Sequence, residues 1–467
     1  MWLLFAAKAG AAAYYFLDSG VRAQGRGGAF IAGADDLSAQ YYNPAALVRI
    51  RRTTANVNVW TVNQFVDFDR ADELGWNSFE AVENEAPPFP EPAGGVAIPL
   101  DKVAPWLNDT VLAVGLYEPT SPLLSYLVSG PQRYALLSAL FIQAYVGPTL
   151  ARRLTPWLSV GAGFQYTFMR VDQSLAAYLC NSTEPTCGGD DVRNDVRMDL
   201  SVADMARFSW NAGLLVEPTE WLAIGASVQP AIHYEPTGSM TTTFNAGNRI
   251  VVPELTALEF RDDDVRLLVD LPWIVRAGVQ FSTSPRWHAE VAGTYARWSD
   301  SPTLTITDID LALTTREDGA VHGQTLLVTD DVVFKTGFQD AWSLRAGGDF
   351  APLKWLTLRA GGHYETSAVP EALVGVSVVD GPKAGGGVGA SVRFAKRFMA
   401  DVSGLGQWQF PREIEDSELA QQALLVDLDN QFQTTVTEGK VVGNGTIDST
   451  LVVVGVGLSV EFGAMND

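Results

Sequence analysis

The sequence predicts an all-β protein, a 14-stranded antiparallel transmembrane β-barrel with an N-terminal plug (hatch) inside the lumen. Three observations favour this fold: hydrophobic alternation with period two, linkers that alternate in length, and a glycine-rich N-terminal stretch without a regular period. We interpret residues 1–13 as a candidate remnant of a signal peptide, 14–52 as the plug and 53–467 as the barrel. No apolar run is long enough for a membrane-spanning helix.

The alternation is clearest in the last segment of the chain. Val454, Val456 and Leu458 fall on one face, and Gly455 and Gly457 fall on the other. A helix would spread these apolar residues around its surface, so the period indicates a strand. The predicted strands span 53–65, 92–100, 110–117, 133–149, 157–177, 199–216, 221–243, 265–282, 286–305, 334–350, 355–366, 385–395, 397–410 and 449–463.

The linkers between these strands alternate strictly between long and short. The long ones are 66–91, 118–132, 178–198, 244–264, 306–333, 367–384 and 411–448, and the short ones are 101–109, 150–156, 217–220, 283–285, 351–354 and residue 396. This pattern is typical of an up-and-down barrel in an outer membrane, with tight turns at one rim and long loops at the other. An even number of strands places both ends of the barrel at the short-turn, periplasmic side.

Four tryptophans follow the short turns, at Trp157, Trp221, Trp287 and Trp355. An interfacial belt would explain their position. The hydrophobic alternation along the strands nevertheless places Trp157, Trp221 and Trp355 on the polar side. Either the strands begin irregularly, or these rings cap the periplasmic end of the lumen.

The stretch Gly20–Leu47 contains five glycines and an Asn-Pro step that interrupts any helix. Such a segment has no core of its own and must be enclosed by the rest of the chain. Before it, Trp2–Ala13 is apolar and ends in three alanines that suit a cleavage site. Its only basic residue, Lys8, comes after the apolar run begins, which is a poor match to a signal peptide.

The net charge of −22 disfavours nucleic acid as a partner, because phosphate binding requires a basic face. Acidic loops in surroundings rich in divalent cations are one interpretation, and a general solubility charge is the other. Cys180 and Cys187 flank the polar run NSTEPT, which favours a loop disulfide in an oxidising compartment over two free thiols. No histidine lies near them, and we expect no metal site.

The N-terminal stretch GRGGAF…ADDLSAQYYNPAAL, followed by fourteen alternating strands, resembles the FadL family of outer-membrane channels for long-chain fatty acids and hydrocarbons. Three further runs are similar to that family: WNAGLLVEPTEWLAIGASVQPAIHYEPTGSM, VDLPWIVRAGVQF and FKTGFQDAWSLRAGGDF with LTLRAGGHYETSAVP. The resemblance covers nearly the whole chain, and its most specific part is the Asn-Pro-Ala turn in the plug.

The resemblance implies passive transport without turnover chemistry. A hydrophobic molecule would enter among the extracellular loops, reach a pocket beside the plug, and leave sideways into the outer leaflet past the lipopolysaccharide layer. Asn43, Pro44 and Ala45 would form the plug gate, and Gly115 and Pro119 would mark the inward kink of the third strand. For Pro119, simple opening of the following loop is an equal alternative.

Ligand-binding candidates come from three places in the chain. The resemblance suggests that the N-terminal aromatic residues reach into the lumen, and the linker 118–132 is unusually apolar for a loop, so that it either contacts ligand or buries itself over the mouth. Lumenal arginines could bind a carboxylate, or they could hold the plug to the wall in ion pairs. The candidates are Tyr14, Tyr15, Phe16, Leu123, Leu124, Leu127, Arg207, Arg276 and Arg345.

No catalytic motif is apparent, and we expect neither enzymatic activity nor a cofactor. The predicted protein is a monomer of the bacterial outer membrane with its N-terminus on the periplasmic or lumenal side, in contact with lipid and lipopolysaccharide. Two alternatives come from other functional classes. One is a structural or adhesion barrel with an immobile plug, and the other is a lipid-hydrolysing enzyme of the outer membrane.

Overall fold

The computed structural model describes residues 13, 18–71, 79–118, 123–181, 189–243, 255–261, 264–301, 303–318, 325–328, 331–427 and 433–463. Fourteen strands form the barrel and are numbered here β1 to β14 in chain order. They are Thr53–Arg70 (β1), Phe89–Pro99 (β2), Thr110–Tyr117 (β3), Ser138–Thr155 (β4), Leu158–Asn181 (β5), Asp195–Thr219 (β6), Leu222–Gln229 (β7), Trp273–Ser284 (β8), Trp287–Arg297 (β9), Ala341–Leu353 (β10), Leu356–Glu365 (β11), Lys383–Phe394 (β12), Phe398–Ile414 (β13) and Gly445–Phe462 (β14).

Each barrel strand pairs antiparallel with the next, and the sheet closes on itself. The closing pair runs along the full length of β1 and β14, from Thr53 opposite Phe462 to Arg70 opposite Gly445. Because the sheet is closed, no strand edge leaves backbone N–H and C=O groups without hydrogen-bond partners in the hydrocarbon of a bilayer. The predicted 14-stranded barrel is therefore confirmed.

The burial of side chains follows the alternation of the sequence. In β14, Val454 is 54% and Val456 is 58% exposed, whereas Val453, which faces the other way, is 0% exposed. The exposed face of the barrel is apolar and the inner face carries glycine and polar residues, which is the pattern of a membrane-spanning barrel. The structure describes no helix with the length and apolar character needed to cross a bilayer.

The geometry of the rim with the tight turns explains why the tryptophans depart from the inward and outward alternation of the strands. Register shifts occur at the turns between β4 and β5, β6 and β7, β8 and β9, and β10 and β11. A bulge of this kind re-aims the side chains on either side of it. Trp157, Trp221, Trp287 and Trp355 are all between 50% and 55% exposed, and Trp287 stacks on Phe350 at 4.3 Å. The strand starts are irregular, and these rings do not cap the lumen.

The opposite rim carries additional short strands that extend or cover the barrel. They are Val82–Glu83, Leu124–Ser125, Ile232–Tyr234, Thr237–Thr243, Leu255–Phe260, Val265–Leu271, Thr303–Thr307, Leu311–Thr315, Thr325–Val328, Val332–Lys335, Ala420–Asp427 and Gln433–Val441. Short 3₁₀ helices occur at Leu100–Lys102, Pro105–Leu107, Val192–Asn194, Trp298–Asp300 and Glu371–Leu373.

Four predicted strands, 221–243, 265–282, 286–305 and 334–350, are divided in the structure. The third is interrupted by the 3₁₀ helix Trp298–Asp300, and the fourth is interrupted between Lys335 and Ala341. The first breaks after Gln229, just before Pro230, and the second breaks at Pro272. Proline has no N–H to donate to the ladder, so both breaks fall where a regular strand cannot continue. The prediction of single unbroken strands was wrong at these positions.

The segment before β1 lies inside the barrel. It contains α1 (Val21–Gly25), α2 (Ala39–Tyr42) and a 3₁₀ helix over Pro44–Arg49, and almost every residue from 18 to 50 is buried. We call residues 18–50 the inner segment. The wall beside it is glycine-rich because the inner segment approaches too closely for a Cβ. The wall glycines in such contact are Gly161, Gly213, Gly225, Gly278, Gly347, Gly361, Gly387 and Gly389.

Candidate functional site

A cavity of about 490 Å³ lies at the long-linker end of the barrel. Its lining is mainly apolar and comes both from the upper barrel wall and from the covering strands. Representative lining residues are Leu124, Phe141, Val171, Ile306, Phe334 and Val379. A few polar groups also reach it, including Lys335 and Glu418. A largely apolar cleft or cavity with few polar groups is the usual form of a binding site for a hydrophobic molecule.

A second apolar space of about 60 Å³ adjoins the first. The two share Ile306, Phe334 and Gln173 in their linings. Because these residues contribute to both, the two spaces form neighbouring parts of one apolar region beneath the covering strands.

The described residues of the apolar linker at 118–132 are partly buried and partly exposed. Leu124 is 7% exposed and lines the larger cavity, and Tyr126 is buried and donates a hydrogen bond to the carbonyl of Val376. Leu127 is 53% exposed, and Leu123 is only partly buried. Of the three leucines proposed as ligand contacts, Leu124 lines the cavity, and Leu123 and Leu127 do not.

The N-terminal aromatic candidates Tyr14, Tyr15 and Phe16 lie outside the described residues. The residue before them, Ala13, lines the larger cavity, and its N–H donates to the buried carboxylate of Asp380 at 3.2 Å.

The Asn43-Pro44-Ala45 turn fixes the inner segment against β6. The Asn43 side-chain amide donates to the carbonyls of Ile31 (3.1 Å) and Leu214 (3.0 Å), and its oxygen accepts the N–H of Ala45. One amide therefore joins two parts of the inner segment to the wall. Wall glycines make this possible, since a Cβ at Gly213 would overlap the Asn43 side chain.

The inner segment is also held by the carboxylate of Glu290 on β9. It accepts the backbone N–H groups of Ile31, Ala32 and Gly33 at 2.7–2.9 Å, and it pairs with Arg26 at 3.0 Å. The Glu290 side chain is fully buried. Four donors around one buried carboxylate satisfy its charge without water.

Further ion pairs join the inner segment to the wall. Arg22 lies between Asp36 of the same segment and Asp401 of β13. Burial raises the pKa of the Asp36 carboxyl, and the positive charge of Arg22 offsets part of that shift. Most of the buried charge in the lumen is thus structural.

The three candidate arginines differ in their surroundings. Arg345 is buried and pairs with Asp18 at 2.6 Å and with Glu365 at 3.3 Å, so its charge is neutralised within the protein. Arg207 pairs with Asp204 and Glu235 and is about one-third exposed.

Arg276 is different from the other two because no carboxylate of the described residues pairs with its guanidinium. It is 2% exposed, and its guanidinium lies 4.4 Å from the ring of Tyr41 in α2. Neither terminal nitrogen has a hydrogen-bond partner among the described residues. A buried guanidinium in this state can accept a carboxylate or another oxygen acceptor.

The wall of the barrel is interrupted beside the short strand β3, which ends at Tyr117. Beyond that point, residues 89–93 of β2 pair only with β1, and residues 140–144 of β4 pair only with β5, in the part of the chain that the structure describes. We call these two facing edges the wall break.

The ring closes again above the wall break. Leu124 and Ser125 pair with the upper end of β4, and Ser125 exchanges hydrogen bonds with Asn84 and Glu85. Asn84 in turn bonds to the backbone of β1. The interruption is therefore bounded at both ends.

The sequence of β2 suits an unpaired edge. Pro90 and Pro92 lie within the segment that has only one partner strand, and proline nitrogens cannot donate to a second. By contrast, Gly115, predicted to mark the kink, pairs regularly with Gly95 and Gly147, and the interruption begins two residues later. Pro119 lies outside the described residues.

Aromatic residues connect the inner segment to the lower end of the wall break. The ring of Tyr41 contacts that of Tyr117 at 5.6 Å, and Tyr117 stacks on Tyr145 at 5.2 Å. Tyr41 also contacts Arg276, so α2, the wall break and the unpaired guanidinium form one continuous region.

Cys180 is buried at the end of β5, and its sulfur lies 3.6 Å from the carbonyl oxygen of Leu424. Cys187 lies outside the described residues, so its pairing with Cys180 stays a prediction. The described residues contain no group of His, Cys, Asp and Glu side chains that could hold a metal ion.

Sequence reasoning missed Pro90, Pro92 and the buried Glu91 between them, and it gave Glu290 no specific role. The signal for the first group was present, since two prolines in three residues are unusual within a strand. Nothing in the sequence shows that Glu290 meets three backbone N–H groups some 260 residues earlier in the chain, because that contact depends on the folded path of the inner segment.

Solved structures share this architecture at low sequence identity. A Pseudomonas aeruginosa FadL homologue is 18% identical, with a TM-score of 0.72 over 97% of this chain and 100% of the other. The Pseudomonas putida toluene transporter TodX is 14% identical, with a TM-score of 0.65 over 97% of this chain and 100% of the other. The Ralstonia pickettii toluene transporter TbuX is 12% identical, with a TM-score of 0.63 over 96% and 99%.

A search of curated protein sequences finds no match. A family model described as outer membrane protein transport protein (OMPP1/FadL/TodX) matches residues 2–443, which is nearly the whole chain. This match and the closed barrel both agree with the family resemblance that the sequence predicts. The chain belongs to the family of outer-membrane transport proteins that includes FadL and TodX.

Proposed function

We propose that the protein is a passive channel that takes up hydrophobic molecules, such as long-chain fatty acids or hydrocarbons, across the outer membrane. The observation that carries the proposal is an apolar cavity of about 490 Å³ above a bore that the inner segment fills. A molecule in this cavity cannot continue along the barrel axis unless the inner segment moves. Family membership and the TodX and TbuX likeness support a transport role.

The proposed route leads from the cavity past α2 to the wall break and then into the outer leaflet. Residues 14–52 act as the plug, and residues 53–467 act as the barrel, with the N-terminus on the periplasmic or lumenal side. Asn43, Pro44 and Ala45 form the gate, because the Asn43 amide joins the plug to the wall. Release at the wall break would bypass the polar lipopolysaccharide layer, and the working unit is a monomer.

Among the proposed ligand contacts, Arg276 is the one that the surroundings favour for an anionic headgroup. Its terminal nitrogens have no acceptor among the described residues, whereas Arg207 and Arg345 are already paired with carboxylates. Leu124 would contact the apolar tail in the cavity, and Tyr14, Tyr15 and Phe16 would approach it from the plug. Leu123, Leu127 and a Cys180–Cys187 disulfide would shape the loops above.

Uptake by whole cells tests this function. Cells that lack other channels of this family would express the protein and receive radiolabelled palmitate or toluene. We expect faster uptake with the protein than without it. Replacing Asn43-Pro44 by Ala-Ala should reduce the rate, because the gate loses its two bonds to Ile31 and Leu214. Asn108→Ala, in an exposed turn, is the matched control.

Equal uptake with and without the protein would contradict the proposal and favour a structural barrel with an immobile plug. Lipid hydrolysis by the purified protein would favour the enzyme alternative.

A further inference from the structure

The rim with the tight turns is basic, although the chain as a whole is acidic. We call it the basic rim, and it comprises residues 49–53, 99–110, 152–158, 217–222, 284–287, 351–356, 393–398 and 461–463. These segments contain 11 lysines and arginines against 5 aspartates and glutamates, whereas the whole chain has 32 against 54. Positive charge is therefore concentrated at one end of the barrel.

The acids of the basic rim neutralise only some of its cations. The ion pairs there are Arg49–Glu217–Arg153, Arg52–Glu461–Arg393 and Arg51–Asp109. By contrast, the side chains of Arg286, Lys354 and Arg397 are exposed and form no ion pair within the described part of the chain. They lie in the turns β8–β9, β10–β11 and β12–β13. Because successive turns at one rim are two strands apart, on the order of 10 Å, the three cations form one stretch of the rim.

Aromatic rings on the same stretch indicate its depth in the membrane. Trp287 directly follows Arg286 and is 55% exposed, and Trp355 directly follows Lys354 and is 51% exposed. Exposed indole rings are concentrated where the hydrocarbon of a bilayer meets the headgroups. A cation beside such a ring lies at the depth of the headgroup phosphates.

The chemistry of these side chains favours an anionic headgroup. Exposed guanidinium and ammonium groups bind phosphate oxygens through charge-assisted hydrogen bonds. A zwitterionic headgroup carries its own ammonium group, which offsets the phosphate charge, whereas an anionic headgroup retains a net negative charge. Basic side chains at a membrane surface therefore select anionic lipids.

We propose that the basic rim between β8 and β13 binds anionic phospholipid headgroups of the inner leaflet, with Arg286, Lys354 and Arg397 as the phosphate contacts. The tight turns of outer-membrane barrels face the periplasm, where the leaflet consists of phospholipid. The inference uses this orientation from the proposed function, but it does not depend on the transported molecule or on movement of the plug.

Native mass spectrometry of the purified, delipidated protein tests the proposal. The protein would be titrated with phosphatidylglycerol or phosphatidylethanolamine of the same acyl chains, and the measured quantity is the ratio of the two affinities. We expect phosphatidylglycerol to bind more tightly. Each of Arg286→Gln, Lys354→Gln and Arg397→Gln should lower the ratio about fivefold, because each removes one positive charge from the membrane surface.

The matched control removes three exposed arginines from the opposite end of the barrel, as Arg170→Gln, Arg193→Gln and Arg197→Gln, and should leave the ratio unchanged. Equal affinity for the two lipids, an unchanged ratio in the rim variants, or an equal loss in the control would overturn the inference. Tighter binding of lipid A than of phosphatidylglycerol, lost in the rim variants, would also overturn it by assigning the rim to the outer leaflet. Palmitate uptake by cells is a separate measurement, so its failure beside a retained lipid preference would contradict the proposed function alone.

Discussion

Substituting Glu290 by glutamine should loosen the plug while leaving the barrel closed. The carboxylate accepts three backbone N–H groups of residues 31–33 and pairs with Arg26. Glutamine keeps the shape of the side chain, but it loses the charge and presents an N–H₂ group where an acceptor is needed. Arg26 then loses one of its two carboxylate partners, Asp349 being the other.

The size of the expected loss of stability follows from the burial of the Glu290–Arg26 ion pair. Removing one partner of a buried ion pair costs about 3–5 kcal/mol, and we take the lower end because glutamine retains one acceptor oxygen. A loss of about 3 kcal/mol corresponds to a local opening equilibrium about 150-fold more favourable. The barrel ladder is untouched, since no strand pairing involves the Glu290 side chain.

Amide hydrogen exchange of the purified protein in detergent measures this opening directly. Peptides covering residues 29–34 should exchange about 150-fold faster in Glu290→Gln, whereas peptides from β14 should not change. Glu220→Gln, an exposed acid at the turn before β7, is the matched control and should leave the exchange of these peptides unchanged. Unchanged exchange over residues 29–34 would refute the role assigned to Glu290.

Two further predictions concern the gate and the proposed headgroup contact. Gly213→Ala should displace Asn43 and reduce palmitate uptake, as the Asn43-Pro44 replacement does, because its Cβ would overlap the Asn43 side chain; Gly404→Ala, with open space around the new Cβ, should have no effect. Unchanged palmitate uptake in Gly213→Ala would count against a gate at Asn43. Arg276→Met should reduce palmitate uptake by about tenfold while toluene uptake persists, since about 1.4 kcal/mol of carboxylate binding is lost. An equal loss in Arg207→Met, or an equal loss for both probes, would show that Arg276 has no headgroup role.

The barrel could be predicted from the sequence because its determinants are local. Alternation places Val454 outward and Val453 inward, and the parity of linker lengths identifies the two rims. The predicted strand bounds were less accurate where a proline lies within a hydrophobic segment, as at Pro230 and Pro272. There the ladder of hydrogen bonds between strands stops and resumes within one segment.

The site was predictable only in part, because its key contacts join distant parts of the chain. The sequence identifies Arg276 as inward-facing, but not that Asp18 pairs with Arg345 while neither terminal nitrogen of Arg276 has a hydrogen-bond partner among the described residues. The parity rule also misplaced Trp157, since it assumes strands without the bulges that occur at the turns.

Mapping the path of a hydrophobic molecule tests the central claim most directly. A palmitic acid analogue with a diazirine in its tail would be bound to the purified protein, photolysed, and the labelled peptides identified by mass spectrometry. The account predicts label on cavity-lining peptides that contain Phe141, Ile306 or Phe334, and on residues 89–93 at the wall break. Label confined to the outer, lipid-facing residues of the barrel would contradict it.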